Sequence, residues 1–91
     1  APGITSLYPN PFNENCHIRI VTRITEKVSL VIYDTQGRKV CTLVNERLNP
    51  GVHNFSWDGK NTLNQTVSSG VYMLNMVQGE FASTRSIQLL K

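Results

Sequence analysis

The sequence predicts an all-β fold, an immunoglobulin-like antiparallel β-sandwich of six to seven strands. Short runs rich in β-branched and aromatic residues recur about every ten residues, turn residues separate them, and no useful length of chain keeps a helical period. Six or seven strands in a chain of 91 residues is the count typical of such a sandwich. The length allows one domain, residues 1–91, with a core shared by two sheets.

The composition and charge exclude several classes of protein. The chain is 40% hydrophobic and 16% charged, as expected of a folded domain and not of a disordered tail. The formal net charge is only +3, and the basic residues are scattered, whereas a nucleic-acid interface concentrates them on one face. No apolar stretch approaches the ~20 residues of a membrane span. The first residues lack the pattern of a signal peptide, so we expect any export signal upstream in a longer precursor or at the other end of this chain.

The N-terminal segment is predicted to lie at a sheet edge. Residues 1–6 are expected to form a flexible or linker-like start, although residues 4–8 can add a first strand. The segment Tyr-Pro-Asn-Pro-Phe-Asn at 8–13 lacks two ladder donors at its prolines, which confines it to an edge. We expect Phe12 to fill one end of the core, and Asn10 and Asn13 to make side-chain turns to the backbone.

The next runs place hydrophobic residues on one face and mainly polar residues on the other. This alternation predicts strands with one face exposed to solvent. Residues 16–22 and 27–34 show this alternation, and residues 38–44 form the return strand of a hairpin. Gly37 in the connecting turn can adopt the positive φ that a tight hairpin requires. The inward positions are Cys16, Ile18, Ile20, Val28, Leu30 and Ile32.

The second half adds an aromatic strand, a polar loop and two more strands. After the Asn-Pro-Gly turn at 49–51, Trp57 is the strongest core anchor, since an indole buries ~200 Å² and needs one partner for its N–H. Residues 71–78 are apolar on both faces, which indicates a central strand or a covered outer face. Residues 83–90 form the last strand. The predicted core comprises Phe12, Ile18, Ile20, Leu30, Ile32, Phe55, Trp57, Tyr72, Leu74 and Ile87, with Leu89 also inward.

Two cysteines, Cys16 and Cys41, are too few for a disulfide framework and lack the spacing of a metal site. An oxidising compartment would permit one bridge that closes a loop of about 25 residues, worth roughly 3 kcal/mol in the chain-entropy model. Two small half-buried hydrophobic residues are the alternative. The alternation points Cys16 inward and leaves the direction of Cys41 open, so both alternatives remain.

No residue pattern predicts catalysis. The chain has no Gly-x-Ser-x-Gly segment, no phosphate loop and no His-Glu-x-x-His segment. His53 lies on the face of Phe55 and Trp57, where a hydrogen-bonded histidine at the core margin is expected, and His17 points to solvent. The acidic residues fall mostly at strand ends and turns, and they are not expected to converge in a cleft. We therefore predict a non-catalytic domain without a cofactor.

The best metal candidate is the loop at 58–65, whose oxygen-bearing side chains could hold calcium. A lysine inside the loop and its single carboxylate count against that, and side-chain turns at Asp58 and Asn61 explain the pattern equally well. We predict no metal. Glycan binding would need a row of exposed aromatic rings, most of the rings are expected in the core, and two isolated exposed rings at Tyr33 and Phe81 would make a poor sugar platform.

Four segments carry a more specific signal. They are Leu-Tyr-Pro-Asn-Pro-Phe-Asn at 7–13, Val-Ile-Tyr-Asp with Gly-Arg-Lys-Val at 31–40, Gly-Val-His with Trp-Asp-Gly at 51–59, and Ser-Gly-Val-Tyr at 69–72, followed by a basic end at 91. In this order they resemble the type A C-terminal sorting domains of type IX secretion cargo proteins. The second and third segments also resemble, more loosely, the immunoglobulin-like domain of flagellar hook-capping proteins.

The sorting resemblance implies export through the periplasm and outer membrane of a Bacteroidetes-type bacterium, to the cell surface or the medium. The type IX translocon would recognise this domain, attached behind an N-terminal cargo domain, and a surface sortase would remove it near its start. Partner recognition is expected at edge and final strands, by strand addition or charge. The expected recognition residues are Gly70, Val71, Tyr72, Arg85, Leu89, Leu90 and Lys91.

A structural accessory domain is the alternative, packing on a parent enzyme or capping an assembly as the hook-capping relative does. The apolar residues Val31, Val71, Met73 and Leu90 on expected outer faces favour it. Glycan binding is a third and weaker hypothesis.

Overall fold

The computed structural model describes residues 3–90, and all regular structure in that range is β-strand. Every paired strand is antiparallel to its neighbour. The strands are β1 (Gly3–Tyr8), β2 (Cys16–Thr22), β3 (Glu26–Tyr33), β4 (Lys39–Leu48), β5 (Gly51–Trp57), β6 (Gly70–Gln78) and β7 (Phe81–Leu89).

The strands form two sheets that face each other. One sheet has three strands in the order β1-β2-β5, and the other has four in the order β4-β3-β6-β7. This arrangement confirms the predicted antiparallel sandwich. Within the described residues, no helix has the length and apolarity needed to cross a membrane.

Because paired strands run antiparallel, the connections between strands lie at two opposite ends of the sandwich. One end carries Gly3 and the short turns that follow β2, β4 and β6. The opposite end, called the C-terminal end below, carries the longer connections at residues 9–15, 34–38 and 58–69, together with Leu90. The strands thus place all the long connections on one side of the molecule.

The core follows the alternation that the sequence predicts. The inward hydrophobic side chains of β2, β3 and β6, together with Ile87 and Leu89 of β7, are all but inaccessible to solvent. Every predicted core residue except Phe55 is buried. Phe55 is half-buried because β5 is an edge strand of the smaller sheet, so its inward row is covered from one side only. His53 on the same row bonds through Nε2 to the Asn49 carbonyl at 2.7 Å.

Two bulges in β4 decide the direction of Cys41. The pairing with β3 shifts twice, which leaves Leu43 and Val40 as extra residues in β4. Adjacent residues therefore face the core together, Val40 with Cys41 and Leu43 with Val44. Cys41 is 8% exposed and Cys16 is fully buried, and both thiols are free. Simple alternation could not predict the inward direction of Cys41, because a bulge reverses the alternation of inward and outward residues.

The beginning of the chain differs from the expected linker. Residues 3–6 belong to β1, whose register with β2 starts at Gly3 and Val21. Residues 1–2 lie outside the described part. The last two strands of the larger sheet also begin earlier than predicted, β6 at Gly70 and β7 at Phe81.

Candidate recognition surface at the C-terminal end

Part of each segment that resembles a sorting domain lies at the C-terminal end, whereas Gly-Val-His at 51–53 lies at the opposite end. An aromatic cluster of Phe12, Trp57 and Tyr72 lies at the C-terminal end, each ring taken from a different segment. The Trp57 ring centroid is 5.5 Å from that of Phe12 and 5.2 Å from that of Tyr72, the second contact being edge-on. Such offset and edge contacts between rings stabilise beyond the area that they bury.

The polar atoms of this cluster hold the overlying loops. Trp57 Nε1 donates to the Lys60 carbonyl at 3.0 Å, and the Tyr72 hydroxyl donates to the Ser68 carbonyl at 2.6 Å. Each ring therefore belongs to the core and also fixes one end of the loop at 58–69. The single partner expected for the indole N–H is a loop carbonyl.

The loop at 58–69 is built from side-chain turns. Asp58 Oδ1 accepts from the Lys60 N–H at 3.2 Å, and Asn61 Oδ1 accepts from the Leu63 and Gln65 N–H groups at 2.9 and 3.0 Å. These are the side-chain turns that the sequence offered as an alternative to calcium ligation. The Oδ1 atoms of Asp58 and Asn61 therefore accept from backbone N–H groups.

The turn at 34–38 is organised by one carboxylate. Asp34 Oδ1 accepts from the N–H groups of Gln36 and Arg38, both at 2.9 Å, and Asp34 Oδ2 accepts from Arg38 Nε at 2.8 Å. The Arg38 backbone N–H contributes most to lowering the pKa of Asp34, which keeps this carboxylate ionised. Gly37 has a φ of 81°, as the hairpin requires. The Arg38 side chain remains 74% exposed.

The proline-rich segment closes the outer edge of β7. Asn10 Nδ2 donates to the Ser86 carbonyl at 3.1 Å, and Asn10 Oδ1 accepts from the Gln88 N–H at 2.8 Å. Phe12 N donates to the Gln88 carbonyl at 2.9 Å, and Leu90 N donates to the Phe12 carbonyl at 2.8 Å. The Asn10 side chain therefore makes the hydrogen bonds to β7 that a neighbouring strand would otherwise make. The sequence predicted a local side-chain turn for it instead.

The pairing along residues 86–90 limits which of the expected recognition residues remain accessible to a partner. Recognition by strand addition or charge is expected at residues 70–72 and 85–91, but the outer edge of residues 86–90 is already paired. Leu89 is fully buried, Arg85 donates Nη1 to the Ile4 carbonyl at 3.3 Å, and Leu90 is 48% exposed. Lys91 lies outside the described residues.

The remaining three recognition residues begin β6. Tyr72 is 6% exposed and acts chiefly through its ring and its hydroxyl contact, while Val71 is 45% exposed and Gly70 is half-buried. Sequence reasoning did not include Arg38 among the recognition residues. Its signal was local: an aspartate four residues before an arginine, with a glycine between them, predicts a turn that displays the arginine.

The apolar residues expected on outer faces divide into two groups. Val31 is 9% exposed and Met73 is half-buried, because neighbouring side chains cover them on the outer face of the larger sheet. Val71 and Leu90, both near the C-terminal end, are the exposed pair. Tyr33 and Phe81, considered for glycan binding, lie at opposite ends of the larger sheet and form no row.

We expect Asn10→Asp to lower the free energy of unfolding by about 1–2 kcal/mol, since a carboxylate cannot donate to the Ser86 carbonyl and repels it. Urea denaturation followed by circular dichroism measures the change. Asn13→Asp, an exposed substitution in the same segment, is the matched control and should cost less than about 0.5 kcal/mol. Equal losses in the two variants would show that the Asn10 contacts do not stabilise the edge.

Comparison with known sequences gives one family match and two curated relatives. Residues 17–80 match the protein-family model of the FlgD Ig-like domain. The basal-body rod modification proteins FlgD of Salmonella typhimurium and Salmonella typhi are each 49% identical over 47 residues, which cover 52% of this chain and 20% of theirs. The chain spans about a fifth of the length of these curated relatives.

Solved structures that share the fold include two from Porphyromonas gingivalis. The crystal structure of dimeric latent PorU from Porphyromonas gingivalis superposes with a TM-score of 0.77 at 20% identity, covering 96% of this chain and 9% of that one. PorZ from the same bacterium, described as an essential surface component of the type-IX secretion system, gives a TM-score of 0.64 at 20% identity, covering 98% and 12%. At this level of identity the likeness concerns the fold.

Proposed function

The chain belongs to the FlgD Ig-like domain family, and we propose that this member is a non-catalytic sorting domain that directs an attached cargo protein across the outer membrane through the type IX secretion system. The observation that carries the proposal is that part of each of the four sorting-like segments lies at the C-terminal end. Segments scattered along the sequence contribute to one aromatic cluster and to the exposed loops above it.

The solved structures also support a role in the type IX secretion system. PorZ is a component of the type-IX secretion system, and it contains a region with the fold of this chain. The likeness shows that such a sandwich occurs in a protein of that system. The role of a sorting signal rests on the sequence segments.

The position of the first strand also supports a sorting role. Gly3 lies at the end opposite the connections at 9–15, 34–38 and 58–69. A cargo domain joined before residue 1 would extend away from the recognition surface and leave it accessible. A surface sortase that cut near the start of the domain would likewise act far from that surface.

A non-catalytic role agrees with how the polar side chains of this end are used. Asp34 and Asp58 accept backbone N–H groups in turns, and the Tyr72 hydroxyl holds a loop carbonyl. General acid or base catalysis needs such groups directed at a substrate. Here they stabilise the loops that form the surface.

A reporter fusion tests the proposal. A neutral reporter with an N-terminal export signal, followed by residues 1–91, is expected to reach the surface of a type IX-competent host. Retention of the reporter in the periplasm at equal expression would contradict the proposal. Cleavage is tested in the same strain, where a sortase deletion should leave the domain attached to the surface reporter.

Two matched variants locate the signal. Val71 and Val77 both face outward from β6 and are 45% and 39% exposed, but only Val71 lies at the C-terminal end. We expect Val71→Asp to reduce surface delivery about tenfold, since a buried unpaired charge at an interface costs more than 1.4 kcal/mol, and Val77→Asp to leave it unchanged. Equal delivery of both variants would place recognition elsewhere.

A structural accessory role is the second candidate, and the match of residues 17–80 to the FlgD Ig-like domain favours it. In that case the domain would pack on its parent protein or in an assembly. Deleting the domain from the parent would then lower the parent's thermal stability and leave its secretion unchanged. The sorting proposal expects the deletion to abolish secretion of the parent and to leave its thermal stability unchanged.

A further inference from the structure

Strand β6 begins without a neighbour on one of its sides. Its register with β3 ends at Tyr33 and Met73, because the chain turns away at residues 34–38. On its other side β6 stays paired with β7 as far as Gly70 and Leu89. Residues 70–72 therefore have a strand on one side and the turn at 34–38 on the other.

The backbone of Val71 faces this open side. In β7 the outward hydrogen bonds to the N-terminal segment come from Gln88 and Leu90, so Ile87 and Leu89 face β6. Their partners in β6 are Tyr72 and Gly70, and antiparallel pairing alternates the direction of successive residues. The N–H and C=O of Val71 therefore face away from β7. Within residues 3–90, no hydrogen bond joins Val71 to the turn at 34–38.

A cleft of about 390 Å³ lies between these two elements. The turn at 34–38 and residues 67–72 line it. The space beside Gly70 is open, since a methyl group at its Cβ position would meet no atom within 4 Å. The cleft therefore leaves the unpaired backbone of Val71 accessible to another chain.

Arg38, the cationic side chain of this cleft, shares it with Asp34, the carboxylate to which it is paired. Its Nε is bound to Asp34, but the side chain is 74% exposed, which leaves the terminal nitrogens free to donate to a second anion. Guanidinium groups bind carboxylates with short, charge-assisted hydrogen bonds. An extended segment that pairs with Val71 would thus be favoured if it also carried a carboxylate.

We propose that this cleft binds an extended peptide segment of a partner protein, which adds to β6 at Val71 and places a carboxylate on Arg38. Backbone pairing would supply affinity and the carboxylate would supply specificity, as in other cases of strand addition. The proposal deepens the sorting function, on which it rests, by assigning recognition to the open start of β6. The outer edge of residues 86–90, which is already paired, is excluded as the added-strand site.

Three synthetic peptides test it by titration of the isotope-labelled 91-residue chain. Acetyl-Thr-Val-Thr-Val-Glu-amide carries a side-chain carboxylate, acetyl-Thr-Val-Thr-Val-Thr with a free C-terminus carries a terminal one, and the amidated form of the second carries none. We expect at least one charged peptide to bind about tenfold more tightly than the neutral peptide. Comparison of the two charged peptides shows whether the cleft prefers a side-chain carboxylate or a C-terminal one.

Amide exchange and a matched pair of variants locate the binding. The Val71 amide should exchange rapidly in the free chain, while the Tyr72 amide is protected, and peptide should slow exchange at Val71. Arg38→Gln should abolish the preference for charge, whereas Arg47→Gln, an exposed arginine at the other end of β4, should retain it. A Val71 amide already protected in the free chain, or no shift at Val71 up to millimolar peptide, would overturn the proposal.

The outcomes separate this inference from the sorting function. Peptide binding at Val71 together with a reporter that stays in the periplasm would reject the sorting role and leave the cleft established. Surface delivery that survives Arg38→Gln and Val71→Asp would reject the cleft as the recognition site and leave the sorting role established.

Discussion

Trp57→Ala is expected to lower the free energy of unfolding by about 3–5 kcal/mol. Trp57 is 1% exposed and lies between the rings of Phe12 and Tyr72, so its removal leaves a cavity that two rigid rings cannot fill. The variant also loses the bond to the Lys60 carbonyl that holds the loop at 58–69. Because small domains have only about 5–15 kcal/mol of stability, this variant should lie near the limit of folding.

Urea denaturation followed by far-ultraviolet circular dichroism measures this change, since the variant has no indole fluorescence. Trp57→Phe keeps a ring in the cluster and should cost distinctly less, about 1–3 kcal/mol. Val52→Ala, at a 56% exposed position on the same strand, should cost less than about 0.5 kcal/mol. A Trp57→Ala variant within about 1 kcal/mol of the parent would contradict a core centred on this ring.

Alkaline pH is expected to destabilise the domain through its two thiols. Burial raises the pKa of Cys16 from 9.0 to about 11. The pKa of Cys41 rises likewise to about 11, chiefly through burial and also through the negative charge of Asp58, against a lowering contact with Trp57. Since the folded pKa exceeds the unfolded one, the unfolded chain releases these protons first. The stabilisation is complete below pH 9 and is lost as the pH rises towards 11.

The expected loss is about 2–3 kcal/mol for each thiol, since one pKa unit corresponds to about 1.4 kcal/mol. Urea midpoints measured at intervals between pH 8 and pH 11 follow it. A double variant, Cys16→Ala with Cys41→Ala, starts less stable because of its cavities but should lose much less stability over the same range. Parallel pH profiles for the parent and the double variant would show that the thiols are not responsible.

Much of the fold was predictable because it depends on interactions between near neighbours. Alternation in β2 and β3 identified the inward residues, and the glycine at 37 identified the hairpin turn. Asn61 organises its loop through N–H groups two and four residues away. Such contacts form within a few residues, so the local sequence contains the information that specifies them.

The recognition surface was predictable only in part. The buried positions of Trp57 and Tyr72 beneath the proposed surface followed from alternation. Strand addition, one of the two modes of recognition expected for the last strand, finds no open edge at residues 86–90, because Asn10 and Phe12 already occupy it. Asn10 and Ser86 are 76 residues apart in sequence, and no local pattern reports such a contact.

The sequence alone determined the class of fold, the inward face of most strands, the anchoring role of Trp57 and the side-chain turns of the loop at 58–69. The tertiary structure decided which strand edges are open, the inward direction of Cys41 and the open side of β6 at Val71. The physical reason lies in the range of the interactions. Alternation and turns are set by residues a few positions apart, whereas bulges and edge closure depend on which distant strand lies alongside.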